Sequence, residues 1–333
     1  MQKKSRNLGD FAVNPIGLGC MNYAFGYRTV PEENARKLLL TAVAEGCNFF
    51  DTATLYGNGY SEKLLGDTLK AHRNDIRIAS KCGLDSDGIN GRPEKLIAQC
   101  DASLERLQTD VIDLYYLHRA DPNVPIAESV GALQTLVDAG KILTIGLSEI
   151  SSANLEAAVA ETRITAVQSE YSLWSRTPEF GILDLCGKNN ITFVPFCPLG
   201  RGFFAGSAQE LSELDDSDLR CTIAQPRFEG ENFKANCKLL ESFAVHAKEH
   251  NCTTGQLALA WLLHQRDHSM IPIPGTTRIA HFRENMAAAD VSLDQSSLDT
   301  LDELINESTV AGTRYNAKRM AGQDSERDRA VAC

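Results

Sequence analysis

Residues 111–170 read VIDLYYLHRADPNVPIAESVGALQTLVDAGKILTIGLSEISSANLEAAVAETRITAVQSE. Three short apolar runs, VIDLYYLH, ILTIGLS and ITAVQSE, alternate with two longer stretches, IAESVGALQTLVDAG and SSANLEAAVAE. The runs are nearly continuous in apolar residues, as strands buried on both faces are. The stretches between them carry apolar residues at helical spacing. This alternation of strand and helix predicts a parallel sheet clothed in helices.

The same rhythm extends in both directions. PIGLGC, CNFFDTA and IRIASK precede the stretch, and ITFVPFCP and SMIPIPG follow it. Between them lie the helical patterns PEENARKLLLTAVAEG, SEKLLGDTLKAH, RPEKLIAQCDASLERL, PEFGILDLCGKNN and TTGQLALAWLLHQRD. Pro31 and Pro93 suit first helical turns, Ser151 and Thr253 suit caps, and Gly46 and Gly140 suit helix ends. Eight strands with seven intervening helices predict an α/β fold, a (β/α)8 TIM barrel spanning residues 1–333 as one domain. Extra helices are expected at the C-terminal end, and a long loop before the seventh helix. A doubly wound sheet would need a glycine fingerprint. Gly57-Asn58-Gly59 lacks the third glycine and reads as a loop. The stretch from Gly202 to Asn236 breaks the rhythm, so its IAQPRFEGENF portion is a candidate lid, with Arg227 and Phe228 as residues to examine. The polar tail from about 320 to 333 reads as frayed.

Thirty-three Lys and Arg stand against 44 Asp and Glu, a net charge of −11. That balance argues against nucleic acid or an anionic membrane as partner. The ten cysteines include no C-x-x-C pair and mostly sit in apolar stretches, as packed thiols of a reduced, cytoplasmic protein do. No metal-ligand spacing is present. The N-terminus lacks the apolar stretch of a secretory signal, and no apolar run is long enough to span a membrane. A monomer or small homo-oligomer is expected.

Four ionisable residues fall at or just after strand ends: Asp51 in NFFDTATLY, Tyr56 five positions on, Lys81 in IRIASKCG and His118 in DLYYLHR. In a β/α barrel every strand's C-terminal end opens on one mouth, where such groups converge. A free phenol has a pKa of roughly 10 and is a poor acid at neutral pH. A neighbouring ammonium stabilises its phenolate, so Lys81 is expected to lower the Tyr56 pKa. Asp51 would hold Lys81, and a neutral His118 would orient a carbonyl. The electrophilic carbon still needs a nucleophile, and a hydride from a nicotinamide is the simplest source. A hydrolase or lyase using Asp51 and His118 is the rival chemistry.

These segments resemble the aldo-keto reductase family, over roughly residues 9–306. DTATLYGNGYSEKLLG, IASKCG and DLYYLHR are similar to its aspartate–tyrosine, lysine and histidine segments. The resemblance implies that Tyr56 donates the proton in NADPH-dependent reduction of a small-molecule carbonyl, while Asp51, Lys81 and His118 tune it. It further implies cofactor contacts from Cys20 and Met21 in IGLGCM, from Asp51, and from Ser148 and Glu149 in IGLSE, where Glu149 replaces the family's Asn. Gln168 in AVQSEYSLW would contact the carboxamide. In FCPLGRGFFAG, Phe196 would stack on the nicotinamide, Pro198 would be a further cofactor contact, and Leu199, Gly200 and Gly202 would lie along the pyrophosphate. In IPIPGTTRIAHFREN, Gly275, Thr276, Thr277 and Arg278 would surround the 2′-phosphate, with Glu284 and Asn285 near the adenine. Tyr23, Phe25, Tyr56, Tyr171 and Trp174 are the aromatic candidates around the substrate, with Trp174 as pocket wall and His118 as polar anchor. Related barrels serve as nicotinamide-sensing channel subunits, which stays open as an alternative.

Overall fold

The structure, a computed structural model, describes residues 5–24, 26–27, 30–206, 214–265 and 270–332. Phe25, residues 207–213 of the long loop, Arg266, Asp267, Ser269 and Cys333 lie outside the described residues. An antiparallel hairpin of β1 (Arg6–Leu8) and β2 (Phe11–Val13) opens the chain. The barrel strands follow: β3 (Leu18–Gly19), β4 (Phe49–Asp51) and β5 (Arg77–Cys82). A small hairpin, β6 (Leu84–Asp85) with β7 (Gly88–Ile89), interrupts before β8 (Ile112–Leu117), β9 (Ile142–Ser148), β10 (Ile164–Glu170) and β11 (Thr192–Phe196). The seven barrel strands pair in parallel, in the order β11–β10–β9–β8–β5–β4–β3.

The eighth place is taken by residues 270–275. The Ile271 and Ile273 amides donate to Phe193 and Pro195 carbonyls of β11 at 2.9 and 3.1 Å. On the other side the Pro272 and Pro274 carbonyls accept from Gly17 and Gly19, at 3.0 and 3.3 Å. Both prolines fall where the missing N–H would have faced β3. This stretch therefore closes the barrel through carbonyls alone on that side, and it is less regular than the strand SMIPIPG was expected to form. The fold is the expected (β/α)8 barrel.

Period-two alternation sorts the barrel side chains. Phe49, Ala79, Leu114, Tyr116, Ala166, Val194, Ile271 and Ile273 fill the interior with Leu8 and Val13 of the hairpin. Tyr115 and Leu117 face the helices instead. The hairpin closes the end where strands begin: Thr192 donates to the Asn7 carbonyl, and the Arg77 guanidinium lies over the Phe11 ring. The opposite mouth is left to the loops.

Around the strands pack α1 (Glu32–Ala44), α2 (Tyr60–Leu69), α3 (Pro93–Leu107), α4 (Ile126–Asp138), α5 (Ser152–Glu161) and α6 (Ile182–Lys188). The turn α7 (Leu219–Thr222) precedes α8 (Gly230–Glu249), α9 (Thr254–Leu263) and α10 (Ile279–Ala287). The extra C-terminal helices are α11 (Gln295–Leu304), the turn α12 (Ala317–Met320) and α13 (Glu326–Ala332). Thr253 starts α9 with a reciprocal cap to Gln256, and Ser151 caps α5. PEFGILDLCGKNN is two pieces rather than one helix: a 3-10 turn ends at Gly181, whose φ of 145° restarts the chain as α6. None of the described helices is long and apolar enough to cross a membrane.

The tail corrects an expectation. It is not frayed: Asp324 and Asp328 accept from the Ser151 and Ser152 amides at the start of α5, at 2.8 and 3.0 Å. Carboxylates suit that position because a helix N-terminus presents unpaired N–H groups and positive dipole.

Candidate active site

Asp51 ends β4, Lys81 sits near the end of β5, and His118 follows β8. Tyr56 hangs from the turn after β4. The structure brings all four together. Lys81 Nζ donates to Asp51 Oδ1 at 2.5 Å, to the Thr52 carbonyl at 2.8 Å and to Tyr56 Oη at 3.3 Å. The ammonium has three N–H bonds, and all three are used. The Tyr56 and His118 rings meet edge to face, centroids 6.1 Å apart. Asp51 Oδ2 accepts from Gln168 Nε2 at 2.7 Å.

Burial governs the electrostatics. It pushes the Asp51 carboxyl up, against the pull of Lys81 and Gln168. It draws the Lys81 ammonium down, but Asp51 and then Tyr56 carry it net upward. With every donor accepted, the pair stands as ammonium and carboxylate. Tyr56 departs from expectation. Lys81 does stabilise its phenolate, yet desolvation is the larger effect and the phenol lies above its ordinary value. His118 is held neutral: burial, then Arg119, Lys81 and Arg319, place it well below the usual imidazole range. Its Nδ1 is buried with no hydrogen-bond partner.

The turn carrying Tyr56 takes its shape from the Gly57-Asn58-Gly59 loop and from buried support on α2 and α3. Gly57, Asn58 and Gly59 have successive positive φ values of 63°, 53° and 87°, which lead into α2. Glu62, fully buried on α2, accepts from Ser80 beside Lys81 at 2.5 Å and from Arg106 Nε at 2.7 Å. Arg106 also reaches Thr54 Oγ1 in the turn at 3.2 Å. A carboxylate three and seven residues before Leu65 and Leu69, on one apolar helix face, was the available signal.

The expected cofactor residues divide. Ser148 accepts from Arg119 Nη1 at 3.2 Å, and Arg119 also donates to the His118 carbonyl. Phe196 is half-buried on top of the interior cluster. Gly200 packs under Trp174, while a side chain at Gly202 would meet little but the Arg220 guanidinium, at 3.9 Å. Pro198 is buried and Leu199 half-buried along this turn. Thr276 is buried, Gly275 and Arg278 are exposed, and Thr277 is intermediate; the Thr276 hydroxyl accepts from the Arg278 amide at the start of α10. Glu284 accepts from the Thr253 hydroxyl at 2.6 Å, and Asn285 is buried beside it. Met21 is half-buried in a 3-10 turn.

Several residues lie elsewhere. Glu149 is not open to a ligand: it is fully buried, and its oxygens accept from the Glu170 amide, twice from Arg314, and from Ser325. Burial would raise this carboxyl, but Arg314 holds it down to about 2. Cys20 is fully buried, its thiol bonded to the Leu18 carbonyl, so its side chain is unavailable. Tyr23 packs in the layer between strands and helices, near the Cys20 and Cys47 thiols. Tyr171 donates to Glu179 and packs on Phe193 and Trp261. Trp174 is 2% exposed, stacked on Phe203 at 4.5 Å and edged by Phe204 and Phe228. Its ring is core packing rather than an open pocket wall. Arg227 and Phe228 anchor the long loop from within: Arg227 donates to Ser175 and lies over Trp174. A different part of that loop crosses the mouth, where the Leu219 amide donates to the Gly26 carbonyl at 2.9 Å and Arg220 lies over Tyr27.

The Aldo/keto reductase family pattern matches residues 15–306. The Glycine max protein named "Probable aldo-keto reductase 1" is 42% identical over 312 residues, covering 92% of this chain and 89% of that protein. The Schizosaccharomyces pombe aldo-keto reductase yakc, whose name carries NADP(+), is 38% identical over 326 residues, covering 95% of each. The solved structure of the glycerol dehydrogenase AKR11B4 from Gluconobacter oxydans matches with a TM-score of 0.83 at 26% identity, over 91% of this chain and 95% of that one. The chain belongs to the aldo/keto reductase family.

Proposed function

We propose that this protein reduces aldehydes or ketones to alcohols with NADPH, as an NADP-dependent alcohol dehydrogenase, and that Tyr56 is the proton donor. The observation that carries the reading is the Lys81 ammonium, 3.3 Å from Tyr56 Oη and 2.5 Å from Asp51. The residues at the mouth fit a nicotinamide dinucleotide. The open side of Gly202 leaves room for close approach of a pyrophosphate, and Arg278, exposed beside the start of α10, offers a fork suited to a phosphate. Leu199, Gly200 and Gly202 would line the pyrophosphate, and Thr276, Thr277 and Arg278 the 2′-phosphate. Ser148 would hold the carboxamide, next to a Gln168 already fixed on Asp51. The S. pombe relative's NADP(+) supports that choice of cofactor. Bound NADPH supplies the hydride.

The chain's own residues do the rest. His118, neutral and lacking an Nδ1 partner, orients the carbonyl oxygen. Tyr56, kept protonated by burial, gives its proton as charge develops on that oxygen. Lys81 then stabilises the phenolate left behind, and Asp51 keeps Lys81 in line. Positioned proton transfer of this kind contributes about 10²–10⁴-fold.

The test is NADPH binding by fluorescence quenching, followed by cofactor oxidation with a panel of aldehydes and ketones. Binding with no turnover across the panel would instead favour a nicotinamide-sensing subunit. No binding at all would sink the redox reading.

A further inference from the structure

The family pattern ends at residue 306, yet residues 312–328 dock against the barrel mouth. They deliver Arg314 into a buried pair of carboxylates. Arg314 Nη1 and Nη2 donate to the two Glu149 oxygens at 3.1 and 2.7 Å, and Nε donates to Glu326 at 2.6 Å. Nη1 also lies 3.7 Å from Glu170, which Arg201 binds at 2.8 Å. The Arg201 and Arg314 guanidinium groups both lie over the Tyr315 ring, 4.9 and 5.1 Å from its centroid. Arg201, Arg227 and Arg314 surround Glu149, Glu170 and Glu326 here, and Arg119 also acts on Glu149.

The position matters more than the charge. Glu149 and Glu170 flank the residues expected to hold the nicotinamide end: Glu149 follows Ser148 at the end of β9, and Glu170 lies two after Gln168 on β10. Glu149 has a φ of 51°, a left-handed backbone that needs outside support in a non-glycine residue. Its support is local and complete: its amide donates to the Gln168 carbonyl at 2.9 Å, and its carboxylate is filled by Glu170, Arg314 and Ser325. Without the guanidinium, Glu149 would stay buried with only the Glu170 amide and the Ser325 hydroxyl donating to it, while Glu170 keeps Arg201. That turn would then reorganise, taking Ser148 with it.

We propose that Arg314 is a positioning residue for the nicotinamide pocket: from a segment beyond the family pattern it sets the ends of β9 and β10, and so Ser148 and Gln168. This rests on the NADPH reading above. It also accounts for the family asparagine being Glu149 here: the carboxamide contact has been exchanged for an anchor of the C-terminal segment. Coupling of this kind is reciprocal, so NADPH in turn tightens the segment.

The test uses the full-length protein. NADPH affinity is measured by fluorescence titration well below the melting temperature for wild type, Arg314→Met, Arg314→Lys and the double variant Arg314→Met/Glu149→Gln. The double variant leaves no bare buried carboxylate at 149, which keeps the test open if the single variant fails to fold. We expect at least tenfold weaker NADPH binding in the Met single and double variants, and partial recovery with Lys, which restores charge but not the planar fork. Hydrogen exchange across residues 312–328 should slow when NADPH is added to wild type. A folded double variant with wild-type affinity, or exchange unchanged by NADPH, would overturn the proposal and leave the reductase reading intact. Wild type that fails to bind NADPH would overturn both.

Discussion

An ammonium shut away from water keeps its charge only if its surroundings replace the lost hydration. Lys81 does this with three acceptors and no exposed surface. Removing one member of such a pair strands the other. Lys81→Met should therefore cost about 3–5 kcal/mol in denaturant unfolding. Adding Asp51→Asn should restore much of that stability without restoring turnover. Tyr56→Phe should lower kcat by about 10²–10⁴ while NADPH affinity holds. A Tyr56→Phe protein with wild-type turnover would remove Tyr56 from the chemistry. Because burial keeps the phenol protonated, reduction should run at a steady rate through neutral pH and fail only above roughly 10, the ordinary phenol value. Alcohol oxidation needs the phenolate and should rise over the same alkaline range. His118, being neutral throughout, should add no break near pH 6.5 to the rate profile.

At the scale of elements, Tyr56 is only as well placed as the turn that bears it. α2 starts that turn's far side and crosses the end of α3 at Gly66, where a Cβ would lie 2.5 Å from the Arg106 carbonyl oxygen. Backbone cannot yield there as a side chain would. Gly66→Ala should cost roughly 1–3 kcal/mol, read as a lowered Tm, because overpacking shifts the helix carrying Glu62. Most elements were legible in the primary structure, since buried parallel strands make continuous apolar runs and their helices carry one stripe. The placement of Asp51, Lys81 and His118 at one mouth was legible for a related reason: a strand end fixes where its last side chains point, whereas Tyr56 depends on the turn that follows. Other features were not. Glu62 shares an apolar helix face with Leu65 and Leu69, but only the fold shows that Ser80 and Arg106 fill it. Glu149 reads as a ligand until a guanidinium 165 residues away fills it. Tyr23 and Trp174 are ring-bearing residues near the mouth in sequence, but packing against helices and phenylalanines, not proximity in sequence, decides which way a ring turns.

Across the whole molecule, two buried groups make the fold acid-sensitive. Glu149, held at about 2, stays charged in the folded chain at pH values where the unfolded chain's carboxyl, near 4.3, has taken a proton. Its contribution, on the order of 3 kcal/mol, is full above the unfolded value and is lost as pH falls towards 2. His118 works in the same direction. The folded chain keeps it neutral, while the unfolded chain binds a proton below about 6.5, so stability declines as pH drops past that point. Melting temperature should fall steadily from pH 7 to pH 4, and His118→Gln should flatten the upper part of that curve. An unchanged slope would show that His118 does not carry it.

Barrel closure by residues 270–275 also sets an order of events during synthesis. Gly19 cannot meet Gly275 until residue 275 has left the ribosome, and Arg6 of the β1–β2 hairpin waits for the same stretch, since it binds the Leu263 and Met270 carbonyls. Until then the nascent polypeptide is an open sheet with two unpaired edges and Phe49, Leu114 and Val194 uncovered. A chaperone therefore has most to shield before residues 270–275 emerge, and chains stalled just short of Met270 are the ones that should aggregate.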